Sequence, residues 1–395
     1  MPAPTLLCLN TGSASLKFAL FNLADCAGPQ LPTAQLRGEI DSHDGQATLR
    51  WTDAQGQSRR TASAEPRGDI PAEVDALLDT LITPAGCGPI AAVAHRIVHG
   101  GTRFTSAQRI SAAVRAALDD LRSLAPLHQG PGLAGVDAAA ARLPAVPQIA
   151  CFDTAFHATQ TDLSRRYAIP RQWHDKGFKR YGFHGLSYDA MTHKLPPLLG
   201  ARAQGAVVVA HLGGGASLCG LRQLRSVSTT MGFTALDGVV MSTRSGAIDP
   251  GLVLHWITEE HLDAQQVTSM LYHDSGLKGV SGISGDLRTL EASAEAHAQE
   301  AIAVFAASVA HHIGALAADI GGLEALVFTG GIGTHSARVR LEVCNALSWL
   351  GLRLDPLANV AGQPCITHGD SPVPAYALPT DEEGIMALQA AALLR

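Results

Sequence analysis

Residues 6–21 read LLCLNTGSASLKFALF: two short apolar runs flank a turn made almost wholly of Asn, Thr, Gly and Ser, with Lys17 just past it. Apolar runs bounded by turn formers read as a β-hairpin. Glycine at such a tip removes the Cβ that would hold a ligand away, and adjacent backbone N–H groups form an anion-binding concavity. With Lys17 extending beyond the turn as a mobile positive charge, the tip suits phosphate oxygens. Ordinary hairpins use the same residues, so one turn alone decides little.

The pattern recurs. CLNTGSASLKFAL and VAHLGGGASLCGL both run strand, small-residue turn, strand, and they share G-[SG]-A-S-L when Gly12 is set against Gly214, 202 positions on. Two related halves follow. A third stretch, ALVFTGGIGTHSARV, is an apolar strand entering glycines and then a helix, where N–H groups can face an anion. Neither G-x-x-x-x-G-K-[ST] nor G-x-G-x-x-G occurs, so the P-loop and dinucleotide readings lose their support.

Between the strands lie Ala-rich stretches with helical character, 112–124 and 294–320, and the mixture predicts an α/β chain. Asp249 with Pro250 opens one helix, Asp263 opens another that ends before Gly276, and Thr380 with Glu383 forms a capping-box pattern for the last.

With 395 residues, 46% of them hydrophobic and 16% charged, the chain can bury a large core and is long enough for two domains. A net charge of −6 and 5% aromatic residues give no nucleic-acid footprint. Seven cysteines, at 8, 26, 87, 151, 219, 344 and 365, show no C-x-x-C spacing, which fits a reducing cytoplasm better than a disulfide or zinc framework. The uncharged run 205–221 is broken by His211 and a glycine cluster, so no membrane span is expected, and the N-terminus has no basic region of a signal peptide.

VAHRIVHGGTRF places Arg96 between two histidines, and MSTRSGAIDPG places Arg244 in a small-residue loop before a helix. An arginine fork binds a carboxylate or phosphoryl group through two parallel hydrogen bonds. Taken alone, either arginine reads equally as half of a surface salt bridge. ACFDTAFHATQ and RYGFHGLSY present Asp153 and His184 beside small residues, where a core histidine and a turn-forming aspartate are the bland alternatives.

Together these segments closely resemble the acetate kinase family from Leu6 to about Met386. The carriers are NTGSASLKF, AHRIVHGG, LAPLHQGPGL, CFDTAFHAT, RRYGFHGLSY, AHLGGGASLCG, TTMGFTALDGVVMSTRSGAIDPG, GISGDLR, FTGGIG and PTDEE, in family order. The resemblance implies the two-lobed actin-like/sugar-kinase (ribonuclease H-like) superfold with the active site in the interlobe cleft. It implies lobes of 1–152 plus 385–395 and of 153–384, and a homodimer formed through the C-terminal lobe. It also implies reversible transfer of the ATP γ-phosphoryl group to acetate, giving acetyl phosphate and ADP, with Mg²⁺ or, in its place, Mn²⁺.

By the same resemblance, Arg96, Asp153, His184 and Arg244 match the catalytic set. Asn10, Ser13, Ser15 and Lys17 match the first phosphate motif; His211, Gly213, Gly214 and Gly215 match the second. Asp286, Leu287 and Arg288 match the adenosine-side segment, and Gly331, Ile332 and Gly333 the glycine turn beneath the nucleotide. Asn10 and Glu382 match the metal-associated positions; Glu383 competes as the capping-box residue. The methyl pocket is matched by Val98, Leu127, Phe183 and, in place of the usual Pro, Ala235.

The chain also departs from the family. The usual triple serine reads Ser13, Ala14, Ser15; Gly214 replaces an asparagine; Leu287 replaces an aromatic; Thr334 and His335 replace Glu-Asn. Slower or weaker nucleotide use follows, with ATP the expected donor and another donor as the alternative. Ala235 is smaller than Pro, and one methylene in such a pocket is worth about 1–3 kcal/mol, so propionate is an expected second acceptor. The competing readings are a propionate- or butyrate-preferring kinase and a non-catalytic nucleotide-binding module on the same scaffold.

Overall fold

The computed structural model describes residues 3–12, 15–43, 46–62, 69–82, 88–126 and 128–395. Ser13, Ala14 and Leu127, named above, lie outside the described residues. The chain forms two compact units: Met1–Phe156 with His184–His193 and Asp381–Arg395, and His157–Phe183 with Lys194–Thr380.

In the first unit the opening hairpin is strands β1 (Thr5–Thr11) and β2 (Ser15–Asn22). Strands β3 (Leu36–His43), β4 (Gln46–Asp53) and β5 (Ser58–Ala62) extend it on one side. Strands β6 (Ile90–Ile97), β7 (Gln108–Arg109) and β8 (Gln148–Phe152) extend it on the other, in the order β5-β4-β3-β2-β1-β6-β8-β7. Strand β1 reads as an unbroken apolar run because both of its faces are covered. Leu6 and Cys8 pack toward Met386, Ala387 and Ala390 of the last helix, whereas Leu7 and Leu9 pack with Val74, Leu77 and Leu78 of the Ile70–Ile82 helix and with Ala139. Successive side chains on a strand leave opposite faces, so this split is what the pleat requires.

The second unit repeats the plan with β9 (Val207–Leu212), β10 (Ala216–Arg222), β11 (Arg225–Thr229), β12 (Ala325–Thr329) and β13 (Ala375–Ala377) in the order β11-β10-β9-β12-β13. Central hairpins β1–β2 and β9–β10 are antiparallel, and β6 and β12 each join the first hairpin strand in parallel. The strands around them also correspond: β3 and β11 lie antiparallel outside the hairpins, and β8 and β13 lie parallel beyond β6 and β12. The duplicated halves inferred from the echo therefore share order and direction. The echo does not fix register, however. A 202-residue offset applied to the Asn10–Lys17 pair would join Leu212 to Cys219, whereas Leu212 pairs with Ala216 and the second turn is tighter.

Two local expectations change. Residues 112–124 are not one helix: the helix is Ala112–Asp119, followed by a short 3-10 turn at Arg122–Leu124. Asp119 and Asp120 sit where the helix dipole disfavours negative charge. The last helix is capped by Asp381, whose carboxylate accepts from the Gly384 N–H, so the Thr380–Glu383 capping box does not form. The Asp263 cap is as expected, with Gln266 completing a capping box.

Among the described residues one helix, Ala296–Asp319, is long and apolar enough to cross a membrane by length and composition, and half of its most apolar stretch is buried. Its buried stripe, including Ile302, Phe305, Val309 and Ile313, is the core-facing side of the second unit.

Candidate active site

Parallel strands β1, β6 and β8 end side by side, and ligands of α/β sheets bind outside such carboxyl ends. The register places Leu9 beside His95 and Arg96 beside Cys151, which brings Asn10, Arg96 and Asp153 to one edge. Asp153 follows β8 and its N–H donates to the Ile97 carbonyl at 3.1 Å. Arg96 then meets it as a fork: Nε lies 3.1 Å from both carboxylate oxygens and Nη2 lies 2.6 Å from Oδ2. Its Nη1 donates to Asn10 Oδ1 at 3.3 Å. Asn10 Nδ2 in turn donates to Glu382 Oε2 at 2.9 Å and Glu383 Oε1 at 3.0 Å.

His184 is in the left-handed region, with φ 58°, and its backbone N–H reaches the Asp153 carboxylate. The next residue, Gly185, donates to the Asp153 carbonyl at 3.0 Å and opens the Gly185–Leu199 helix. A Cβ at Gly185 would stand 2.0 Å from that carbonyl oxygen, so only glycine permits the approach.

Burial opposes the Arg96 charge, but Asp153, Glu382 and Glu383 together outweigh it and hold the guanidinium protonated, above the ordinary arginine value. Burial pushes the Asp153 carboxyl upward, and Glu382 adds to this; Arg96 and the His184 N–H oppose the rise. The permanent Arg96 cation 2.6 Å away is what favours the carboxylate form. Burial, then the neighbouring Glu382, raises the Glu383 carboxyl, which Asn10 partly offsets.

Lys17 lies just past the turn, in β2, opposite Asn10 on one side and Glu39 on the other, with its side chain exposed. Ser15 opens the same strand. Val98 follows β6 and is buried. Ser13 and Leu127 are outside the described residues.

In the second unit His211 lies near the end of β9, and the turn Gly213–Gly215 closes through Gly213 N–H to Gly215 O at 3.1 Å. The Gly214 carbonyl accepts from the Ser242 N–H at 3.2 Å. Strand β12 runs into the Gly330–His335 helix carrying Gly331, Ile332 and Gly333. Its last carbonyls are held by buried Arg340, whose Nη1 donates to Gly333 O at 3.0 Å and Thr334 O at 2.7 Å. Arg244 Nη1 donates to the Ala235 carbonyl at 3.0 Å. Phe183 is buried; its carbonyl accepts from His157 Nε2 at 3.0 Å, and burial lowers the His157 imidazole to about 4, which makes His157 a satisfied core histidine.

Asp286 caps the Leu287–Glu291 helix and forks with Arg288, Nη2 to Oδ2 at 2.7 Å, which lowers its carboxyl. Leu287 itself is buried, at 4% exposed.

Sequence reasoning missed Glu383 as a partner of Asn10 because the capping pattern gave it another role; Asp381 just before the pair was the signal. Nothing in the sequence marked Arg340.

Among the described residues no three His, Cys, Asp or Glu side chains cluster as a metal cage. Mg²⁺ commonly takes one or two carboxylates with phosphates and waters, so the hard oxygen donors at Glu382 and Asn10 fit it chemically. Asn10 turns its amide nitrogen toward both glutamates, which leaves Glu382 as the better match.

An arginine fork, a left-handed histidine and glycine turns at strand ends define a class: a kinase on the actin-like superfold. Residues 5–388 match the model of the acetokinase family. The chain is 44% identical over 388 residues to an acetate kinase of Rhodopseudomonas palustris, covering 97% of this chain and 96% of that protein. It is 43% identical to one of Rhizobium meliloti, covering 98% of each. Among solved structures, Porphyromonas gingivalis acetate kinase superposes with TM-score 0.86 at 31% identity over all of both chains. A propionate kinase from Francisella tularensis superposes with TM-score 0.89 at 31% identity over 98% of each. The chain belongs to the acetokinase family; it is a phosphotransferase with a carboxyl group as acceptor, of the acetate kinase type.

Proposed function

We propose that this enzyme reversibly transfers the γ-phosphoryl group of ATP to acetate, giving acetyl phosphate and ADP, and that propionate is a secondary acceptor. The observation that carries this reading is the Arg96 fork on Asp153, joined to Asn10 and the His184 backbone at the ends of three parallel strands. Phosphoryl transfer asks for alignment and charge stabilisation more than covalent chemistry. A carboxylate is already a nucleophile at pH 7. Asp153 is therefore not needed as a base, and the hydrogen bonds it accepts from Arg96 leave it the task of aiming the guanidinium. Arg96 and Arg244 stabilise charge on phosphoryl oxygens, to which His184 also donates, and Arg244 in addition clamps the acceptor carboxylate. The second arginine is held in part by a neutral carbonyl, that of Ala235.

Asn10, Ser13, Ser15 and Lys17 serve one phosphate motif, and His211 with Gly213–Gly215 the other. Gly331–Gly333, Asp286 and Arg288 serve the nucleotide. The burial of Leu287 supports a core role for that residue instead of nucleobase contact. Glu382, with Asn10 beside it, is the residue that would hold Mg²⁺, directly or through water, and the ion would neutralise phosphate charge. Val98, Leu127, Phe183 and Ala235 are assigned to the acceptor's methyl group by the family resemblance alone.

A homodimer in the cytoplasm completes the proposal. The Pro250–Thr258 helix, in the second unit, has no buried residue although it carries Leu252, Leu254 and Ile257, with Leu254 62% exposed. Apolar exposure of this kind marks an association surface, and light scattering should return twice the chain mass.

Hydroxamate trapping of acyl phosphate with acetate, propionate and butyrate tests the assignment. Acetate should give the highest kcat/KM and propionate should follow within about a hundredfold. A preference for butyrate, or no product with any acid, would reject it.

A separate expectation concerns Glu383. Glu383→Leu should melt no lower than the parent, since an apolar side chain replaces a buried acid. Its kcat should nevertheless fall about tenfold, because Asn10 loses one acceptor that fixes its amide. Glu383→Gln keeps that acceptor and should stay within about twofold of the parent. Thermal melts beside steady-state kinetics separate the two effects.

A further inference from the structure

Arg244 takes its orientation partly from the carbonyl of Ala235, so the position of its guanidinium is encoded in the backbone of the 232–238 loop. That loop is braced from one side by residues 167–181 of the same unit. Tyr167 Oη accepts the Phe233 N–H at 2.8 Å. The Arg180 guanidinium lies over the Tyr167 ring, 4.6 Å from its centroid, and donates to Asp237 Oδ2 at 2.9 Å. Phe178 stacks on Phe233 with centroids 5.2 Å apart and planes 12° from parallel. The Gly232 carbonyl accepts from the Tyr181 N–H at 2.9 Å, and a Cβ on Gly232 would stand 2.1 Å from Tyr167 Oη. The phenol thus fills the space that any side chain at 232 would need.

Both ends of the loop are held, at Phe233 and at Asp237, and the residue between them faces Arg244 with its carbonyl. A proline ring at 235 would restrict the backbone from within the loop; alanine supplies no such restraint. The restraint then comes from outside the loop, and Tyr167 supplies it to the loop backbone through a side-chain hydrogen bond.

We infer that Tyr167 is a positioning residue for the carboxylate acceptor: through the Phe233 N–H it sets the Ala235 carbonyl, and through that carbonyl it sets Arg244. This rests on the proposed role of Arg244 and deepens it. A part that only stabilised the fold would act on both substrates alike. A part that aims Arg244 acts on the acceptor.

The test is Tyr167→Phe, which deletes one oxygen and keeps the ring beneath Arg180. The acceptor KM should rise at least about fivefold, with the KM for ATP within about twofold of the parent and the melting temperature lower by no more than a few degrees. Tyr167→Phe/Ala235→Pro should regain most of the acceptor affinity, since proline restores a restraint inside the loop. Asp237→Asn, which loosens the Arg180 clamp, should shift the same parameter in the same direction and stands in if Tyr167→Phe does not fold. An unchanged acceptor KM in both single variants, equal rises in both KM values, or no recovery with Ala235→Pro overturns the inference. A crystal structure of Tyr167→Phe gives a readout independent of turnover: Arg244 should leave the Ala235 carbonyl, and an Arg244 in place overturns the inference even if the parent proves inactive with acetate. Inactivity of the parent would itself reject only the acceptor assignment.

Discussion

Arg96→Ala should lower kcat/KM for acetate by at least about a thousandfold, the scale on which an arginine stabilises a phosphoryl-transfer transition state. It should also cost stability. Asp153 is 1% exposed, and without its partner it becomes a buried, uncompensated carboxylate; breaking such a pair costs about 3–5 kcal/mol. The two losses have different origins and can be separated. Arg96→Ala/Asp153→Ala removes the stranded charge, so its urea midpoint should recover most of the way while its activity stays at the level of the single variant. Arg96→Lys should not rescue, because an ammonium cannot make the two parallel bonds from Nε and Nη2. Steady-state kinetics with urea titrations on the three variants decide the matter. Activity within tenfold of the parent in Arg96→Ala would remove the residue from the mechanism.

The pairing behind that prediction was only half legible in the chain. Arg96 and Asp153 stood out by type and setting, yet each alone also read as a surface ion pair or a turn former. Their contact spans 57 residues and arises from β6 and β8 lying parallel and in register, which is a property of the sheet. The duplicated plan was legible because strand-turn-strand patterning is local. Register was not, since a turn can lose residues while the flanking apolar runs keep their pattern. Glu383 was obscured by two carboxylates and a threonine competing for one helix start, and Asp381 wins because its carboxylate reaches the Gly384 N–H.

Gly185→Ala should be the most damaging single-methyl change in the first unit. The added Cβ would stand 2.0 Å from the Asp153 carbonyl oxygen and 2.8 Å from Phe156 Cβ, and the first of these is backbone that no rotamer change can clear. Either the Gly185 hydrogen bond to that carbonyl breaks or the segment after β8 moves, taking the Asp153 carboxylate and therefore Arg96 with it. Overpacking of this kind costs about 3 kcal/mol, and an ångström of misplacement at a reacting centre costs about a hundredfold in kcat. His184→Asn supplies the contrast. Asparagine tolerates the left-handed backbone that His184 occupies at φ 58°, so this variant should melt within a few degrees of the parent. It lacks the imidazole, so kcat should fall at least about a hundredfold. A pair of variants at adjacent positions thus separates geometry from chemistry: the glycine change lowers both the melting temperature and kcat, whereas the histidine change lowers kcat alone. If Gly185→Ala melts and turns over like the parent, Asp153 does not owe its place to this contact.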